Sequence, residues 1–254
     1  MGLKNTFDNI SRKIPNKYKL GIKALTGKLT YNQDGLATQH NADFMRDEKF
    51  MRCYNLAVNH GLTIGIDPNI HWRAHIACWA GLHAKNLGGD FVECGVNRGF
   101  YSRIIMEYIN FAALKNSSFY LMDTFEGLAE KYISPEEKQL GKIAGGYEQC
   151  YDIVKKEFAP FNNVVIVQGA IPETLEQVKS KKIAYLSIDM NCVIPEIKAA
   201  EYFWDDMMHG GLILLDDYGW HGFEEQKKGF DKFAAERGVQ VLTLPTGQGL
   251  IIKP

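Results

Sequence analysis

Residues 91–99 read Phe91-Val92-Glu93-Cys94-Gly95-Val96-Asn97-Arg98-Gly99, and the fold follows from this stretch. A short apolar run ends in an acid. Two glycines spaced Gly-x-x-x-Gly then open a tight turn into a helical segment, residues 101–114. Glycine there permits left-handed backbone and close approach of a ligand to a helix N-terminus. The spacing is not the Gly-x-Gly-x-x-Gly of a dinucleotide pyrophosphate loop. Glu93, just ahead of the turn, disfavours a phosphate and suits an ammonium or sulfonium group. Glycine pairs at strand–helix turns also serve purely structural ends, so the motif acquires meaning only with its neighbours.

Downstream the same pattern recurs. Apolar runs at 91–96, 119–122, 164–167, 183–188 and 212–215 alternate with helical segments at 101–114, 147–158 and 195–208. Runs without polar alternation suit strands buried on both faces, as in a parallel sheet. Strands alternating with helices predict a doubly wound α/β domain. After a helix at 223–237, runs 239–244 and 250–252 are joined by Pro245-Thr246-Gly247-Gln248-Gly249, short enough for an antiparallel hairpin. Upstream, residues 43–59 place Phe44, Phe50, Met51, Tyr54 and Val58 at helical spacing, and 72–86 form a second helix ended by Gly88-Gly89. Residues 1–40 are polar and Gly-rich and predict a flexible or loosely docked extension. The expected division is 1–87, an N-terminal tail and helical lid, and 88–254, the doubly wound α/β domain.

The 254 residues are 46% hydrophobic and 23% charged, with net charge −1. That balance suits an ordinary globular core and argues against a dedicated nucleic-acid binder, which needs a basic excess. The locally basic stretch 4–28 reads as a solvated face. No apolar run approaches the ~20 residues of a membrane span. The opening MGLKNTFDNI lacks a hydrophobic signal region, and Met1-Gly2 with Thr6 fits a myristoylation pattern only loosely. Cys53, Cys78, Cys94, Cys150 and Cys192 form no Cys-x-x-Cys pair, so a reducing cytoplasm is expected.

In an open α/β sheet, ligands bind outside the carboxyl ends of the strands. The second run ends at Asp123, where a carboxylate accepts both hydroxyls of a ribose. The third ends in Gly169-Ala170, whose small side chains leave room for a flat base. The fourth ends at Asp189 and the fifth at Asp216-Asp217. Three carboxylates at one sheet edge repel one another unless compensated, and a hard cation such as Mg²⁺ with oxygen ligands resolves the conflict.

The segments VECGVNRG, LMDTFEGL, YLSIDMN and GGLILLDDYGW, in this order, resemble the macrocin O-methyltransferase family over residues 88 to 254. The resemblance implies a class I methyltransferase fold: a Rossmann-like, seven-stranded sheet whose last strand is antiparallel. It implies S-adenosylmethionine and Mg²⁺ as cofactors and a sugar hydroxyl as acceptor. Carried over by position, Asp189, Asp216 and Asp217 are the metal carboxylates. Glu93, Gly95 and Gly99 form the methionine-side loop and Asp123 is the ribose acid, with Tyr101, Ser102, Thr124, Gly169 and Ala170 completing the cofactor set. One departure stands out. The family has Asp-Gly-Asp at the fourth strand end, its second Asp a candidate base, where this chain has Asp189-Met190-Asn191. An amide takes no proton at neutral pH.

Asp189 and His221 are therefore the candidate bases, the histidine for its near-neutral pKa. Asn191, Tyr218 and Gln248 are candidate substrate contacts, and Trp220 either stacks on a sugar ring or packs. His71, Trp72, Arg73 and His75 line a lid or simply cap and pack a helix. The expected partner is a small molecule, a sugar or glycoconjugate, and the expected assembly a homo-oligomer. Rival readings are a catechol-type O-methyltransferase acting on an aromatic diol, a non-catalytic relative that binds cofactor or metal, and a nicotinamide oxidoreductase. The last predicts a glycine pattern that is absent and leaves three acids without a role.

Overall fold

The computed structural model describes residues 28–63 and 67–254. Strands β1 (Tyr31–Gln33) and β2 (Leu36–Thr38) form an antiparallel hairpin. Helices α1 (Glu48–Asn59) and α2 (His71–Leu87) follow. Then come β3 (Asp90–Cys94), α3 (Phe100–Ile109), β4 (Phe119–Asp123), α4 (Pro135–Gln139), α5 (Tyr151–Phe158), β5 (Val164–Gln168) and β6 (Ile183–Ile188). The chain closes with α6 (Val193–Phe203), β7 (Met207–Leu215), α7 (Glu224–Glu236), β8 (Leu242–Thr243) and β9 (Gly249–Ile252).

Seven strands make one sheet in the order β5-β4-β3-β6-β7-β9-β8. The first five are parallel, and β9 runs antiparallel to both β7 and β8. This is the doubly wound sheet with a reversed last strand that the sequence predicts. Every residue of β3 and β6 is buried, because helices cover both faces. Side chains alternate between two cores. Val92, Cys94, Leu186 and Ile188 face Phe203, Phe230 and Phe233 on the α6–α7 side. Phe91, Tyr185, Leu212 and Leu214 face Ala77, Ala80 and Ala84 of α2, Ile105 of α3 and Phe158 of α5. From β3 the chain builds outward through β4 and β5, then returns to β6 on the other flank. That switch point opens a crevice at the carboxyl ends of β3 and β6.

Several boundaries differ from the expected ones. The helix expected over 195–208 ends at Phe203. A 3-10 turn, Trp204–Asp206, follows, and β7 begins at Met207, paired with Ile183. Sheet pairing wins there over helical periodicity, and Gly210-Gly211 weakens any further helix. The helix expected from residue 43 is a 3-10 turn, Asp43–Arg46, before α1, whose start is fixed by the Asp47 carboxylate accepting the Phe50 N–H at 2.6 Å. The short helix α4 had a readable signal, the capping box of Ser134 and Glu137.

Residues 28–40, expected to belong to a loose extension, are a docked hairpin. The Tyr31 hydroxyl donates to the Asn69 carbonyl and accepts the Trp72 N–H, and Gln33 bonds His71 at 2.9 Å. The rest of that expectation, with the basic stretch and the myristoylation-like start, falls on residues 1–27, outside the described residues.

Candidate active site

The crevice holds a cavity of about 380 Å³. Glu93, Gly95, Tyr101, Asp123, Thr124, Gly169, Ala170, Asp189 and Asn191 line it, so the ends of β3, β4, β5 and β6 converge on one space. Sequence reading missed the rest of the wall, including Thr63, Asn97, Phe125 and Tyr147. They lie in turns and loops, Tyr147 among them because α5 starts at Tyr151 and not at residue 147 as expected.

The β3–α3 turn is built around backbone contact. Gly95 has φ +90°, and a Cβ there would collide with the Asp189 carbonyl, so the β3 and β6 ends touch only because residue 95 lacks a side chain. Gly99, at φ +85°, lies beneath Phe158, whose ring a Cβ would meet at 2.5 Å. Its role is to seat the helix, and it does not line the cavity. Asp123 accepts the Val96 and Asn97 N–H groups at 2.6 and 2.7 Å on one oxygen and the Phe125 N–H at 2.7 Å on the other. In this structure the expected ribose acid thus ties the Gly95 turn to the β4 end. Glu93 is buried and accepts a bond from the Ser102 hydroxyl, which places Ser102 behind the cavity wall. Burial pushes the Glu93 carboxyl well up, and Asp189, Asp123 and Asp216 add to it. The Tyr101 hydroxyl is buried without a partner beside the acids.

Three carboxylates cluster at the β6 and β7 ends, and of these Asp189 lines the cavity while Asp216 and Asp217 do not. Oxygens of Asp189, Asp216 and Asp217 lie within 4.8 Å of one another. Asp189 accepts the Asn191 amide at 3.2 Å, Asn191 itself standing in a left-handed turn. One oxygen of Asp216 accepts Arg73 at 2.5 Å and the other accepts Gln248 at 3.0 Å. Oδ2 of Asp217 is buried with no partner. Burial raises the Asp189 carboxyl well above its ordinary value, with Asp216 and Asp217 adding to it. Burial, then Asp216, pushes Asp217 up to about 8. Behind the Asp189–Asn191 loop stands a network that the sequence did not reveal. Lys142 donates to the Asn191 carbonyl at 2.6 Å and to Glu137 at 3.1 Å, and Glu196 accepts the Met190 N–H.

Three candidates fall elsewhere. His221 is fully exposed on its loop and bonded to Glu224 at 2.9 Å, and it does not line the cavity. Tyr218 commits its hydroxyl to Asp231 and Lys227 on α7 while its ring packs on Gly249. Gln248 is buried, bonded to Thr246 and Asp216, so it braces an acid where a substrate contact was expected.

Residues 73–243 match the family described as Macrocin-O-methyltransferase (TylF), over more than half of the chain. The chain belongs to the macrocin O-methyltransferase family. It is accordingly an S-adenosylmethionine-dependent O-methyltransferase. Among solved structures, the O-methyltransferase NovP superposes with TM-score 0.62 at 16% identity, covering 71% of this chain and 79% of that one. Cofactor-bound Rv0187 from MTB superposes with TM-score 0.53 at 12% identity, covering 85% and 99%. At such identities these likenesses bear on the fold alone. No curated protein matches the sequence.

Proposed function

We propose that this macrocin-type O-methyltransferase methylates a hydroxyl of a sugar or glycoconjugate with the help of a divalent cation, Mg²⁺, at Asp189, Asp216 and Asp217. One observation carries the reading: three carboxylates from adjacent strand ends converge beside the cofactor crevice, one of them with a buried, unpartnered oxygen. An all-oxygen donor set suits a hard cation, and the mutual repulsion of the acids gives the ion a role. When bound, the ion supplies Lewis acidity that eases deprotonation of a hydroxyl.

The chain's own residues do the remainder. In the crevice, Glu93 and Gly95 would hold the sulfonium side of S-adenosylmethionine, and Thr124, Gly169 and Ala170 its adenosine. Asp123 holds the turn in shape and stands where the ribose passes. Methyl transfer is an in-line displacement: the carbon–sulfur bond breaks, sulfur keeps the electron pair, and the acceptor oxygen forms the new bond. Asp189 lines the cavity and takes the hydroxyl proton at Oδ2, the oxygen that Asn191 leaves free. Asn191 orients that carboxylate and does not replace the family's second aspartate as a base. Phe125, Tyr101 and Tyr147 screen the reacting atoms from water.

The expected lid over residues 88–254 is supported by the β1–β2 hairpin and the start of α2, which reach the acids. Five buried, unpaired cysteines suit a reducing cytoplasm. The half-exposed Trp79 and the exposed Leu82 on the outside of α2 offer an apolar face for a second copy. No helix among the described residues is long and apolar enough to cross a membrane. The test is isothermal titration with S-adenosylmethionine, with and without Mg²⁺. Binding in both is expected, and absence of binding contradicts the reading.

A further inference from the structure

Arg73 has no place in the chemistry described so far, yet it reaches its centre. Its Nη1 donates to Oδ2 of Asp216 at 2.5 Å, while Nε and Nη2 form a fork with Asp34 at 2.7 and 2.9 Å. The guanidinium lies 5.4 Å from the Trp220 ring, and the β1–β2 turn closes over both, Gly35 against Trp220. Its side chain is only 16% exposed, so water screens it poorly. Among the described residues it is the one cationic side chain bonded to any of the three acids.

Resting on the metal reading above, we propose that Arg73 is a positioning residue that limits Asp216 to one oxygen toward the divalent ion and keeps the site loosely ligated. Asp34 aims the guanidinium, and Gln248 takes the other Asp216 oxygen, so this carboxylate cannot swing to offer both oxygens to an ion. Coordination positions are thereby left for the acceptor oxygens. Removing the guanidinium has two effects with one sign. A positive charge beside the cation disappears, and Oδ2 of Asp216 becomes free to ligate. Both tighten metal binding. A residue that merely supported the fold would, when removed, loosen the site and weaken it.

Mn²⁺ serves as the probe, its affinity followed by electron paramagnetic resonance, with S-adenosylmethionine affinity as the check on folding. Arg73→Gln should bind Mn²⁺ roughly tenfold more tightly or better than wild type. Arg73→Lys keeps the charge and loses the fork, and should stay within about threefold of wild type. Unchanged or weaker Mn²⁺ binding by Arg73→Gln with intact cofactor binding overturns the proposal. If Arg73→Gln fails to fold, Arg73→Lys decides, and tenfold tightening there overturns the role of charge. A wild type that binds no Mn²⁺ rejects the metal reading itself. In that case the proposal for Arg73 falls with it.

Discussion

Asp216 and Asp217 follow directly on β7, and the two carboxylates live in different surroundings. Asp216 is braced by Arg73 and Gln248, whereas Oδ2 of Asp217 faces no partner. Asp217 is thus the acid least committed to protein partners. Asp217→Ala should abolish methyl transfer while S-adenosylmethionine affinity, set by the β3 and β4 ends, changes by less than about threefold, as separate titration and turnover assays would show. Asn191 acts through one 3.2 Å bond to Asp189, worth on the order of 1 kcal/mol. Asn191→Ala should therefore lower kcat by only about three- to tenfold, and total loss would assign the amide a direct role. At this scale the sequence was informative wherever a residue closes a strand. Asp189, Asp216 and Asp217 were legible because each follows an apolar run. Arg73 was legible only as part of a polar-aromatic cluster at a helix start, because Asp216 lies 143 positions away and nothing local to either residue announces the pair. Gln248 and Tyr218 were assigned to substrate because the sequence marks them as near the site without showing which way a side chain turns.

The β3–α3 turn and the β6 end meet at Gly95. Gly95→Ala would drive a methyl group into the Asp189 backbone at a residue held at φ +90°. Both elements would have to move apart. The expected result is a melting temperature several degrees lower and loss of measurable cofactor binding, checked by thermal denaturation and titration on the same sample. The core strands were legible as elements because burial on both faces leaves them no polar positions. The β1–β2 hairpin escaped notice because its strands are three residues long, although Asp34-Gly35 is a standard hairpin turn signal. The end of α6 was misplaced because residues 204–208 fit helical spacing, while their pairing with β6 depends on a strand about twenty residues earlier.

Across the whole molecule, strand order was the least legible feature, since alternation of strands and helices fixes a doubly wound class and not a permutation. The order brings β3, β6 and β7 side by side and concentrates the acids at one edge. That concentration has a pH signature. Asp217, pushed up to about 8, and Asp189, raised well above its ordinary value, bind more protons folded than unfolded between about pH 4 and pH 8. Stability in EDTA should therefore fall as pH rises through that window, and Mg²⁺ should restore more of it at about pH 8 than at about pH 6. Melting curves with and without Mg²⁺ at the two pH values check both signs, and an equal Mg²⁺ shift at each would contradict the clustered acids as its origin. The most direct test of the account is transfer of a labelled methyl group from S-adenosylmethionine to a panel of glycosides and nucleotide-linked sugars. The account predicts label on a sugar hydroxyl in Mg²⁺, none in excess EDTA and recovery when Mg²⁺ is restored. Equal labelling in EDTA would contradict it.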